Sequence, residues 1–157
     1  MKKIKSIILI NILLIIFLGS CSYQKMNSEN QKKFYIQEFE ITGDNRESFI
    51  IQKKIQRFSN KESSNRIKIT IDLIKGKNIQ EKNIQNKVTK YALTLTANVK
   101  IIELSTNKII QRDFTAKQTY NVDDSYSNTV NNSKEASNSL IDTIVDEIID
   151  QLRVYYN

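Results

Sequence analysis

Most hydrolases and metal enzymes work through histidine or cysteine, and this chain of 157 residues has no histidine and a single cysteine, Cys21. Without imidazole a Ser-His-Asp or Cys-His arrangement cannot be assembled, and the usual zinc ligand sets are out of reach. Carboxylates remain. Asp123 and Asp124 adjoin in a Ser- and Asn-rich stretch, and a pair of carboxylates suffices to hydrolyse a glycosidic bond. Adjacent acids in such a stretch are also common turn formers. The residue inventory therefore argues against catalysis, implies no metal and no cofactor, and leaves one sulfur with no partner for an intrachain disulfide.

The surroundings of Cys21 say what that sulfur is for. Lys2, Lys3 and Lys5 precede an apolar run from Ile7 to Phe17 interrupted only by Asn11, and Leu18-Gly19-Ser20 leads into Cys21. A basic start, an apolar core and small residues before a cut are the parts of an export signal in their order. The core is shorter than the roughly 20 residues a spanning helix needs, which makes a permanent transmembrane anchor the weaker alternative. Leu-Gly-Ser-Cys resembles the lipobox, at which a precursor is acylated on sulfur and then cleaved. A plain secretory peptide with a chance cysteine is the other reading. On the lipobox reading residues 1–20 are a signal peptide and Cys21 is the site of lipid attachment. Acyl chains contributing about 0.8 kcal/mol per buried methylene would then hold the mature protein firmly on its membrane.

What remains after cleavage is enough for one domain, burying roughly two-thirds of the unfolded chain's surface. The net charge of +7 falls to +4 as three lysines leave with residues 1–20. Residues 21–33 are polar and lack apolar periodicity, as a flexible tether would, so the domain is expected over residues 34–157.

Alternation then places the elements. The stretch 34–41 is strand-like, with an apolar phase that shifts from Phe34 and Ile36 to Phe39 and Ile41, as a bulge would produce. Asp44 with Glu47 fits a capping box, and Ile51, Ile55 and Phe58, with Ile50 at the border, share one face of a helix expected over 45–59. Ile67, Ile69, Ile71 and Leu73 alternate with polar residues in a half-buried strand that Gly76 is expected to close. The echo Lys77-Asn78-Ile79-Gln80 and Lys82-Asn83-Ile84-Gln85 reads as a loop or irregular segment, since two copies do not make a repeat protein. From Tyr91 to Ile101 the odd positions are apolar. Ser105 to Lys108 is a turn with Asn107 suited to a left-handed conformation, and the return strand carries Ile110, Phe114, Ala116, Tyr120 and Val122 on one face. Asn132 with Glu135 offers a second capping box, from which a long helix is expected to start. Its stripe of Ala136, Leu140, Ile141, Ile144, Val145, Ile148, Ile149, Leu152 and Tyr155 is wide enough to cover a sheet. The fold class is therefore α+β, a two-layer sandwich with two helices packed on one face of a four-stranded sheet.

Charge is uneven along the domain. Residues 66–122 hold eleven Lys and Arg against four Asp and Glu, whereas residues 123–157 hold two against seven. A basic sheet surface carrying Lys68, Lys90, Lys100, Arg112 and Lys117 could take phosphate or carboxylate groups. Charge alone leaves open a solvated face made lysine-rich by an AT-biased genome. Nucleic acid is an unsuitable partner for a protein tethered outside the cytoplasm.

The lipobox, the strand-helix-strand unit, Thr89-Lys90-Tyr91-Ala92-Leu93 opening a long strand, the hairpin, Thr119-Tyr120-Asn121, Ser125-Tyr126-Ser127 and the terminal amphipathic helix together resemble the lipopolysaccharide-assembly lipoprotein family LptE. The similarity is strongest to its alphaproteobacterial branch and extends over nearly the whole mature chain. The resemblance implies a non-catalytic lipoprotein on the periplasmic face of the outer membrane that fits as a plug into a large β-barrel, LptD, helps it assemble, and assists lipopolysaccharide to the surface. Ser22 after the cysteine agrees with sorting to the outer membrane. Lys90 stands where relatives often have arginine in Thr-Arg-Tyr. Through the resemblance it is a candidate contact for lipopolysaccharide or the partner, with Lys100, Arg112 and Lys117 added from the charge pattern. The chain departs from the family in having no proline after the cysteine and in placing Ser137 and Ser139 where alanines are usual. Two other readings are an auxiliary lipoprotein of a phospholipid-transport system and a cell-wall glycosidase using Asp123 and Asp124.

Overall fold

The computed structural model describes residues 33–43 and 45–156. The expected signal peptide, Cys21, nearly all of the expected tether and Asp44 of the expected first capping box lie outside them. Six elements follow in order: β1 (Tyr35–Thr42), α1 (Asn45–Gln56), β2 (Arg66–Lys82), β3 (Val88–Glu103), β4 (Ile109–Asn121) and α2 (Tyr126–Tyr156). The strands form one sheet in the order β1-β2-β3-β4. β1 runs parallel to β2, and the other two neighbours are antiparallel. This is the α+β sandwich expected, with a mixed sheet.

A parallel pair needs a crossover, and α1 supplies it. Gly43 starts that crossover at φ +115°, and a Cβ there would lie 2.6 Å from the Leu73 carbonyl oxygen, so only glycine lets the chain leave β1 this close to β2. The bulge expected from the phase of β1 is present as a register shift between Ile36 and Glu38, and the Ser59 hydroxyl accepts the Ile36 N–H beside it at 2.9 Å. α1 ends at Gln56, short of the expected Ser59. Its last turn tightens through Phe58 N–H to Ile55 O and Ser59 N–H to Gln56 O, a common way to satisfy terminal carbonyls.

Ile67, Ile69, Ile71 and Leu73 of β2 and Leu93, Leu95, Ala97, Val99 and Ile101 of β3 are buried under the helices together with Ile51 and Ile55 of α1. From α2, Ala136, Leu140, Ile141, Ile144, Val145, Ile148, Ile149 and Leu152 all enter the same core. Each of the larger aliphatic side chains contributes about 2 kcal/mol by leaving water. Tyr155 does not join its expected stripe and is 39% exposed. Tyr156 packs against Phe34 instead, with ring centroids 5.9 Å apart.

Two expectations are corrected. Gly76 does not close β2, which continues to Lys82 and pairs with β3 as far as Val88. The echoed segment is thus the far arm of a hairpin. Its turn is held by Asn83, whose Oδ1 accepts the N–H groups of Gln85 and Lys87 at 3.0 and 2.9 Å, and Asn86 there takes φ 62°. Asn107 at φ 56° bears out the other left-handed turn position. Nor does α2 begin at Asn132: it starts earlier, at Tyr126. Asp123 Oδ1 accepts the Ser125 N–H at 2.8 Å and the Asn128 side-chain amide at 3.1 Å. Thr129 Oγ1 accepts the Asp123 N–H and donates to the Asp123 carbonyl. Asn132 donates to the Asn121 carbonyl at 3.1 Å and ties the helix to the end of β4.

Candidate functional site: the open sheet face and its distal cleft

The strand register decides which side chains share a surface. Lys90 lies opposite Asn121, Thr94 opposite Lys117, and Lys100 opposite Gln111. All alternate with the buried positions Leu93, Leu95, Val99 and Ile101, so Lys90, Lys100 and Lys117 project from the open face of the sheet. Lys68 joins them across Ile102. Arg112 does not. It pairs with Val99, which is 1% exposed, and so lies on the helix side, at the edge strand. Arg112 shares its parity with Ile110, Phe114 and Ala116, and only its place at the sheet margin leaves it exposed.

The open face is not one basic patch. At the β1 edge Lys68 Nζ lies 2.7 Å from Glu40 and 3.1 Å from Glu38. The hydrogen bond donated by Lys68, then its charge, lowers the Glu40 pKa, and the hydrogen bonds that Lys68 donates to Glu40 and Glu38 raise its own. At the other end Lys90 Nζ lies 3.0 Å from Glu81, whose pKa its hydrogen bond lowers. Between the two pairs Thr70, Thr94, Thr96, Asn98 and Thr115 present hydroxyls and an amide on this face, with Asp72 and Asp113 on either side of Asn98 and the Thr96 and Thr115 hydroxyls 3.1 Å apart.

Two of the expected contact residues come together. Lys90 and Lys117 line a shallow cleft of about 480 Å³ with Gln80, Glu81, Gln118 and Thr119. Lys100 stands ten residues further along β3, about 33 Å away at the usual strand rise. The basic excess of residues 66–122 gathers instead on the distal hairpin, where Lys75, Lys77, Lys82, Lys87 and Lys90 are offset only by Glu81 between 73 and 90. Lys77 Nζ sits 4.0 Å from the centroid of the Tyr91 ring, itself stacked on Tyr120 at 5.6 Å. Lys75 Nζ reaches the buried Glu47 carboxylate at 2.5 Å, which also accepts the Ser137 hydroxyl at 3.0 Å. Sequence pattern does not reveal this arm, because no buried face imposes alternation on it. Beyond Leu73 every residue of β2 except Gly76 is exposed.

Cleft and face contain hydrogen-bonding groups and cations but no assembled nucleophile, and Asp123 is engaged in the turn described above. Residues 31–153 match the family described as LptE, lipopolysaccharide-assembly. The chain belongs to this family. The LptE fold recurs in solved lipoproteins that are distant in sequence. Rare lipoprotein B from Shewanella oneidensis superimposes with a TM-score of 0.60 at 7% identity, over 77% of this chain and 95% of its own. A minor lipoprotein from Acinetobacter baumannii gives 0.56 at 16%, over 79% and 94%. A lipoprotein from Caulobacter crescentus gives 0.54 at 6%, over 82% and 94%. Likeness at these identities shows the shared fold. No curated protein sequence matches the chain.

Proposed function

We propose that this LptE-family chain is an outer-membrane lipoprotein, cleaved after Ser20 and lipidated on Cys21. In this reading it binds and helps assemble a β-barrel lipopolysaccharide translocon of the LptD kind, and so assists lipopolysaccharide to the cell surface from the periplasmic side. The observation that carries it is the family match over residues 31–153. The geometry agrees with it: the lumen of a transmembrane barrel is polar and wet, and the open face offers such a wall hydroxyls, an amide and charged groups of both signs. Lys90 and Lys117, which both line the distal cleft, are the proposed contacts for anionic groups of lipopolysaccharide or of the barrel. Catalysis has no part in this reading, because the domain's role is to occupy and to bind.

The test is gentle-detergent purification of the tagged lipoprotein from outer membranes, with Cys21→Ala as the unanchored control. One large β-barrel recovered in near-equal amount is the expected result. Recovery of phospholipid-transport subunits alone would overturn the reading.

A further inference from the structure

Among the described residues the exposed large apolar side chains lie toward the two ends of the domain, apart from Phe49 on α1 and Ile74 midway along β2. At the distal end are Ile79 and Ile84 on the lysine-bearing hairpin, and Tyr126 beside Asp123 and Asp124. At the base, where β1 begins, the last turn of α2 and the start of β4 present Val154 (75% exposed), Ile109 (57%) and Tyr155.

At the base Asn65, Glu103, Lys108, Tyr155 and Tyr156 line one cleft, and Ile109, opposite Ile102, emerges on the open side of the sheet beside it. The Lys33 carbonyl accepts hydrogen bonds from Ser63 and Asn65 at 2.7 and 2.8 Å. The rings of Tyr156 and Tyr155 lie 6.2 Å apart, and Lys108 Nζ lies 4.9 Å from the Tyr155 centroid. Lys33, Lys61, Arg66 and Lys108 are exposed at this end of the domain, with Glu62, Glu103 and Asp150, the last paired with Arg153, as its acids. Glu103 is held by the Thr106 hydroxyl at 2.6 Å. Tyrosine with an apolar body and a polar tip, set among aliphatic side chains and cations, is the composition of a membrane-water interface, and cations near the surface are drawn to an anionic leaflet.

We propose that this base rim is a membrane-interfacial surface that seats the free lipoprotein on an anionic phospholipid leaflet, with the distal hairpin directed away from it. The proposal rests on the lipidation of Cys21. Lys33 lies twelve residue steps after Cys21, a reach of at most about 43 Å when fully extended. β2 alone, with its 17 residues, is about 50 Å long at the usual strand rise. A domain standing on its hairpin tip would lift Lys33 further from the leaflet than the tether can stretch. Contact through the base needs no such stretch. It applies to the lipoprotein before it enters a barrel.

The chain contains no tryptophan, so a Tyr155→Trp or an Ile84→Trp variant has one indole emitter and serves as a depth probe. The mature protein extracted from membranes is placed on phosphatidylglycerol-containing vesicles with brominated acyl chains, and flotation and quenching are read together. The expected result is flotation of both variants, with the Tyr155→Trp emission quenched several-fold more than the Ile84→Trp emission and less quenched on pure phosphatidylcholine. Flotation with equal quenching at the two positions, with stronger quenching at the hairpin, or with none at either would overturn the seating while leaving the lipid anchor intact. Equal quenching on the two lipids would overturn the preference for an anionic leaflet. Failure to float would overturn the lipidation itself, and the rim proposal with it.

Discussion

β2 is one strand with two environments. From Ile67 to Leu73 its odd positions are buried beneath the helices, whereas from Ile74 to Lys82 none of its side chains is buried. The proximal half is held by burial in a shared core. The distal half is held by its ladder with β3, by Lys75 on Glu47 and by Lys77 over Tyr91. β3 stays paired with β4 as far as Lys90, so the arm is the edge of a three-stranded sheet up to Glu81 and only its turn stands alone. Burial fixes one region and leaves the cations and hydrogen-bonding groups of the other accessible.

Core truncation draws the sharpest line between the two halves. Ile148→Ala, at a position with no solvent exposure, should cost about 3 kcal/mol in urea or thermal unfolding. Ile84→Ala on the fully exposed turn should stay within about 0.5 kcal/mol. Similar losses at both sites would mean that the hairpin is packed against something and that the contrast is false. Gly43→Ala acts where the halves of β2 meet, and its strained φ and clash with Leu73 should cost about 2 kcal/mol. Glu47→Ala removes the partner of both Lys75 and Ser137 and should cost about 1 kcal/mol. Hydrogen exchange in that variant should rise first at residues 74–82, and a uniform rise across the sheet would show that the arm is not a separate unit.

Titration gives the smallest effects and separates base from arm. Burial, followed by the charge of Glu103, raises the Tyr156 pKa to about 12. The unfolded chain ionises this phenol near its ordinary value of 10.0 while the folded chain resists. Its contribution is therefore absent below pH 10, where both states hold the proton, and the resistance to ionisation destabilises the fold as the pH rises from 10 toward 12. Tyr156→Phe should flatten that alkaline limb. Glu81 is lowered from 4.5 by Lys90. The stability it contributes is present above pH 4.5 and is lost as the pH falls through its lower folded value. Glu81→Gln should remove a small acid-limb slope without touching the alkaline one, and salt should weaken it, because the pair is exposed.

Legibility in the sequence follows the same division. Where a face is buried, alternation or helical periodicity is imposed on the residues. The core positions of β2, β3 and α2 and the bulge in β1 are therefore legible in the residue pattern alone. Where nothing is buried, the pattern disappears. Ile79 and Ile84 are five apart and follow neither period, and Gly76 resembles a stop although it sits within a paired strand. The start of α2 escapes a motif reading because Asp123 and Thr129 make a cap across six residues, a spacing no short motif covers. Of the candidate site, Lys90 and Lys117 come together. Lys100 is far along the sheet and Arg112 lies on the other face, since a charge count carries no information on distance or parity. The parallel pairing of β1 has no local signal beyond its crossover helix.

The most direct test of the account is a photocrosslinking amino acid in place of Thr96, at the uncharged centre of the open face, in cells expressing the full chain. The account predicts a single dominant adduct with a large outer-membrane β-barrel. No adduct with a barrel while the lipoprotein is anchored and folded, or adducts with inner-membrane transporter subunits instead, would contradict it.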